Sequence, residues 1–253
     1  VRRAMLDETL PEKLRSILSS TLIAINKSDI LISHRTEETP DLSGGAGRLR
    51  PVSQHLIAHA QQALDARNLV VASRLWTKAA LRQPDDPAGR VGLTVALNRA
   101  KQYDAADAAS SEALARFPEN AGVVANHAWL AHNRSQWDEA AARWRGYREK
   151  FPDHPVGYSA AGVALRHAKR FAEADAILLA GLQRHPDHPE LLGNYAWVAH
   201  RRGDWPEAAA RWRVYRKKFP DHAIGYSGLG VALRELACFD EADAALRQGL
   251  AVH

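Results

Sequence analysis

Five prolines stand 34 residues apart: Pro84, Pro118, Pro152, Pro186 and Pro220. A fixed period of that size points to supersecondary units stacked in a row, each burying its apolar face against its neighbours, rather than to one globular core. A longer period lies over the first. From Ala121 to His253 one block is written twice, 68 residues apart. Asn126-His-Ala-Trp129 returns as Asn194-Tyr-Ala-Trp197, Arg143-Trp144 as Arg211-Trp212, and Phe151-Pro-Asp-His154 as Phe219-Pro-Asp-His222. At 253 residues the chain is long enough for one or two ordinary domains, but the period overrides that count.

Setting the periodic proline third from the end of each unit divides the chain into 53–86, 87–120, 121–154, 155–188, 189–222 and a shortened 223–253. Each unit carries two helical patterns joined by a short turn. In the second helix a small residue recurs at Ala72, Ala106, Ala140, Ala174, Ala208 and Ala242, with Leu69, Tyr103, Trp137, Phe171, Trp205 or Phe239 three places earlier. The first helix has its own small slot at Ala60, Thr94, Ala128, Gly162, Ala196 and Gly230. Small residues at fixed places let two helix backbones approach closely while larger neighbours fill the remaining volume.

This spacing resembles the tetratricopeptide repeat (TPR), over about four fifths of the chain. The resemblance implies an all-α fold, a right-handed α-solenoid of stacked helix-turn-helix units, in the manner of bacterial repeat proteins. Tyr147 and Tyr215 depart from the family pattern, standing where Ala79 and Ala113 follow it, and Gly181 and Gly249 take the same slot in the intervening units. We expect Tyr147 to pack over Gly162 and the space at Gly181 to admit Tyr195, so that the true unit is a pair of repeats. The alternation is weaker in the first two units. At the turns, Asp153-His-Pro155, Asp187-His-Pro189 and Asp85-Asp-Pro87 place a capping residue before a helix with Pro in its first turn.

Outside the repeats, Thr9-Leu-Pro-Glu12 has the form of a capping box, and Leu14, Ile17, Leu18, Leu22 and Ile25 follow at helical spacing. A helix is expected over about Pro11 to Ile25 within an N-terminal segment 1–33. It either docks to a partner or second copy, or folds back over the first repeat. Residues 34–52 lack large apolar runs and are rich in turn formers, as in a flexible linker.

Composition narrows the chemistry. A net charge of +5 permits an acidic partner, but Lys and Arg are interspersed with Asp and Glu. The single cysteine, Cys238, excludes an intrachain disulfide and an all-cysteine metal cluster. No apolar run approaches the ~20 residues of a membrane span, and the basic start leads into acids rather than a signal-peptide core. The expected setting is cytoplasmic. His154, His188 and His222 each follow a Pro-Asp pair, yet their spacing puts equivalent atoms roughly 10 Å apart, about one helix-packing distance. Metal ligands must converge to ~2 Å from one point, so capping turns with solvated imidazoles are expected. No phosphate loop, zinc helix motif or nucleophile elbow is present. No cofactor, metal site or catalytic residue is expected.

In tetratricopeptide arrays the first helix of each repeat lines a concave groove, and the resemblance implies the same here. Places six, nine, twelve and thirteen of each unit share one helix face. They give Asn98, Arg99, Asn126, Trp129, His132, Asn133, Arg166, His167, Asn194, Trp197, His200, Arg201 and Arg234 as candidate groove residues. Trp and Arg dominate binding hot spots, and an amide can pair with a peptide N–H and C=O together. The arrangement is similar to the asparagine ladder of O-linked N-acetylglucosamine transferase, although Ala160 and Gly228 break it. The alternative placement packs Trp129 and Trp197 between helices and leaves the asparagines to cap turns. Trp137, Trp144, Trp205 and Trp212 are expected to be packing residues.

The functional expectation is a non-catalytic scaffold binding an extended, acidic or neutral peptide or partner protein. A second reading makes the array the substrate-selecting part of a larger or associated bacterial glycosyltransferase-type enzyme. RNA binding lacks a base-reading code repeated in each unit. At the C-terminal end Leu246, Leu250 and Val252 are expected to border an uncovered face, to be met by a partner, another subunit or further chain.

Overall fold

The computed structural model describes residues 51–252. The expected helix at Pro11–Ile25 and most of the linker lie outside the described residues. Pro51 and Val52, assigned above to the linker, form the first turn of a helix instead. Twelve helices follow in antiparallel pairs among the described residues: α1 (Pro51–Asp65) and α2 (Leu69–Arg82), α3 (Pro87–Arg99) and α4 (Tyr103–Arg116), α5 (Ala121–Asn133) and α6 (Trp137–Lys150). The series continues with α7 (Pro155–His167) and α8 (Phe171–Arg184), α9 (Pro189–Arg202) and α10 (Trp205–Lys218), α11 (Ala223–Glu235) and α12 (Phe239–Val252). The described residues contain no strand.

Each pair turns through one left-handed residue. Arg67, Lys101, Ser135, Lys169, Gly203 and Ala237 have φ between 56° and 79°, and they recur at the 34-residue period. The turn between the pairs is more varied than the sequence suggests. Asp86 does cap α3, its carboxylate accepting from the Ala88 N–H at 2.9 Å. The expected capping by Asp153 and Asp187 does not occur: His154 and His188 hold the N-cap positions and give no side-chain cap bond. The acidic residue beside each turn reaches the next pair instead. Asp85 meets Arg116 at 2.7 Å, Glu119 meets Lys150 at 2.8 Å, Asp153 meets Arg184 at 2.8 Å, and Asp187 meets Lys218. These exposed rungs contribute little stability singly, but each requires the pairs to be in register.

The imidazoles of His154 and His222 are not simply solvated either. Each Nδ1 lies 2.8 Å from a phenol oxygen, of Tyr147 and Tyr215 respectively. Burial pushes both phenols up to about 12, so they stay protonated.

The core shows why the unit is a pair of repeats, with two corrections. Tyr147 packs over Gly157, where an added Cβ would fall 2.8 Å from its ring, and not over Gly162. Gly162 is closed by Leu178 of its own pair at 2.6 Å. Gly181 admits Tyr158 at 2.7 Å, while Tyr195 turns away beneath the Arg211 guanidinium, 3.4 Å from its centroid. Tyr215 over Gly225 and Gly249 under Tyr226 repeat the arrangement. The alternation also reaches the first units through another slot. Trp76, Trp144 and Trp212 stand 68 residues apart, all buried. The first helix that follows each carries Gly92, Ala160 or Gly228 sixteen places on. A Cβ on Gly92 would lie 2.2 Å from Trp76, and one on Gly228 2.4 Å from Trp212. Where Ser110 and Leu178 replace the indole, that later place holds Asn126 and Asn194. The asparagines thus belong to the packing alternation as well as to one helix face.

Candidate functional site

First helices contact first helices directly, α1 with α3, α3 with α5, α7 with α9, whereas second helices pack mainly against the first helices on either side. The first helices therefore form the inner layer. An inner layer brings side chains of successive units together, which buries several residues expected to face a hollow.

Trp197 is the main correction: it is 1% exposed, sealed in the cluster formed by Trp212, Leu229 and Leu233. Its ring meets Trp212 edge-on, with centroids 5.3 Å apart. Asn194 is buried too, its amide donating to Ser159 Oγ at 3.1 Å while its Oδ1 is sealed without a partner. His132 and Arg166 are each only 4% exposed and offer little surface. Asn194 is covered where α9 meets α7 at Ser159, and Trp197 is covered by the second helix of its own pair and by Leu229 and Leu233 of the next unit.

Other expected residues keep access. Trp129 is half-buried against Trp144, at 5.0 Å and 82°. Asn126 is half-buried, and its side chain makes no hydrogen bond among the described residues. Arg99, Asn133 and Arg201 are exposed, and Arg234 is half-buried. Asn98 is occupied: its Oδ1 accepts from Arg134 Nε at 3.2 Å. His167 lies flat on Trp137, at 4.3 Å and 15°, and His200 bridges Trp197 and Trp205 edge-on. Trp129, His132, Trp137 and His167 thus form one continuous aromatic chain from α5 to α7.

The local field is basic. Burial first, and then the neighbouring His167 and Arg166, lower His132 to about 3. His127 is lowered by burial and then by Arg143. It keeps a bond between Nδ1 and Ser110 Oγ at 3.0 Å.

Sequence reasoning missed the arginines that clamp neighbouring units. Arg134 reaches Asp107 at 2.6 Å and lies over the Tyr103 ring at 4.7 Å. Arg211 reaches Asp175 of the preceding unit at 2.5 Å and also donates to the Tyr195 carbonyl of its own unit at 2.7 Å. The available signal was the repetition of Arg143 as Arg211. Among the described residues no His, Cys, Asp or Glu group is placed to hold a metal ion, and no helix is long and apolar enough to cross a membrane.

The tetratricopeptide repeat family model matches residues 126–189 and 170–223. A TPR repeat-containing protein of Pseudomonas aeruginosa is 26% identical over 163 residues, covering 64% of this chain. The chain spans only 28% of that relative's length. Among solved structures, a tetratricopeptide repeat protein from Parabacteroides merdae superposes with a TM-score of 0.63 at 17% identity, covering 79% of each chain. YrrB, described as a TPR protein with an unusual peptide-binding site, superposes with a TM-score of 0.53 at 15% identity, covering 72% of this chain and 94% of its own.

Proposed function

The chain belongs to the tetratricopeptide repeat family, and we propose on that premise that it is a non-catalytic scaffold binding an extended segment of a partner protein along its inner helices. The observation that carries this reading is the set of unspent groups on α5: the free amide of Asn126, the open edge of Trp129 and the exposed Asn133. An amide can pair with a backbone N–H and C=O of any extended chain, and an indole edge supplies apolar contact at small entropic cost. The basic field favours acidic or neutral segments over basic ones. The peptide-binding site named for YrrB supports the reading as an analogy of fold.

A photo-crosslinking amino acid at Asn133, on the inner layer, and at the exposed Ala142, on the outer helix α6, tests it in cells that make the protein. A covalent adduct with another protein from Asn133 and none from Ala142 is expected. Adducts from Ala142 alone would move recognition to the outer face.

A further inference from the structure

The two copies of the 68-residue block do not offer the same surface. Trp129 keeps an accessible edge, while its counterpart Trp197 is 1% exposed. The helices that follow, α7 and α11, differ at five places, of which two are adjoining and buried. The copy around Trp129 has Ala160 and Ala161 on α7; the copy around Trp197 has Gly228 and Leu229 on α11. A Cβ at Gly228 would fall 2.4 Å from Trp212, so α11 sits closer to α10 than alanine would permit. Leu229 then fills the same apolar cluster as Trp197. Beside Trp129 the corresponding place carries the Ala160 methyl, and Ala161 brings three fewer carbons than leucine. The second copy therefore carries its own plug, and the first does not.

The charge around the unplugged copy is one-sided. Helices α3, α5 and α7 contain no Asp or Glu, and their permanent cations are Arg90, Arg99 and Arg166. Acids that approach from the outer helices are tied up: Glu112 by Arg90, and Asp107 by Arg134. The flanking inner helices differ, with Asp65 on α1, Glu190 on α9 and Glu235 on α11. Arg99, Arg166 and His167 already engage neighbours within the chain, so the two guanidiniums act on a ligand through their charge.

We propose that the open edge of Trp129 seats one aliphatic side chain of an acidic partner segment, with the first 68-residue block and not the second setting specificity. This rests on the groove reading above and adds the anchor and its location. An aliphatic side chain fits because the same position in the second copy is served by a leucine, and acidic flanks fit because the three central inner helices offer no carboxylate to repel them.

The test uses the full chain and two labelled twelve-residue synthetic peptides rich in Asp and Glu, one with a single central Leu and one with Ser there. Fluorescence anisotropy should show the Leu peptide binding about tenfold tighter or more, as expected for burying one aliphatic side chain. The double change Ala160→Gly with Ala161→Leu should abolish that preference while leaving the Ser peptide's affinity unchanged. Trp129→Ala reads the same point through a half-buried side chain. Equal affinity for the two peptides, or a preference that survives both variants, overturns the anchor and leaves the groove reading standing. Failure of both peptides to bind the wild-type chain at low salt overturns the anchor and the groove reading together.

Discussion

Trp197 meets Trp212 edge-to-face with centroids 5.3 Å apart, and neither ring reaches solvent. Aromatic pairs of this kind add to the apolar area they bury. Trp197→Ala should therefore cost about 3–5 kcal/mol, in the range of buried aromatic truncations. Trp129→Ala, on a side chain that is only half-buried, should cost clearly less. Urea unfolding followed by helical circular dichroism separates them. Equal losses would show that the two tryptophans occupy equivalent environments.

The gap between those two expectations marks the limit of the sequence. The period, the helix pairs and the burial of Trp144 and Trp212 were legible because they depend only on a residue's place within its unit. Whether place nine faces the hollow was not legible, because it depends on what the next unit packs over it. The two following helices differ there, with Gly228 and Leu229 in one copy and Ala160 and Ala161 in the other. The partner of Tyr147 was misread for a related reason. Gly157 and Gly162 are both small and both on α7, and the choice between them turns on the crossing of α6 and α7. The aromatic chain from Trp129 to His167 joins residues of two units and has no signature in either alone.

The left-handed turn residue gives a second prediction. Five of the six units place a non-glycine residue there, with φ between 56° and 62°. Glycine adopts this conformation without a Cβ penalty. Lys169→Gly and Ala237→Gly should stabilise the fold by up to about 1 kcal/mol, and Gly203→Ala should destabilise it by a similar amount. Thermal unfolding of the three single variants checks the signs. A loss of stability in both glycine variants would mean that unfolded-state entropy outweighs strain.

Acidification provides a third. His132 is held neutral in the folded chain, lowered from 6.5 to about 3 mainly by burial and then by His167 and Arg166. A depressed folded value means that the unfolded chain takes up the proton first. The associated stability is complete above pH 6.5 and is lost as pH falls from there towards about 3. His132→Gln should flatten that part of the stability–pH curve relative to wild type. Carboxylates titrate over the same range, so the measurement is the difference between the two urea-unfolding series from pH 7 to pH 4. Parallel curves would show that His132 is charged or solvated in the folded state.

The paired packing can be tested by moving one arrangement into another's place. Trp212 with Gly228 and Leu178 with Asn194 occupy corresponding places, each pair sixteen residues apart. Gly228→Asn alone should be destabilising by more than about 1–3 kcal/mol, since even a single carbon there would lie 2.4 Å from Trp212. Trp212→Leu alone removes a fully buried indole and leaves a cavity against Gly228. Made together, the two changes recreate the Leu178–Asn194 combination, and the double variant should be more stable than the sum of the single losses implies. A double-mutant cycle in urea measures that coupling directly, with a favourable interaction of at least about 1 kcal/mol expected for residues sharing one packing site. Strict additivity would show that indole size and helix spacing are set independently. The 68-residue unit would then owe its alternation to something other than the exchange of volume across this interface.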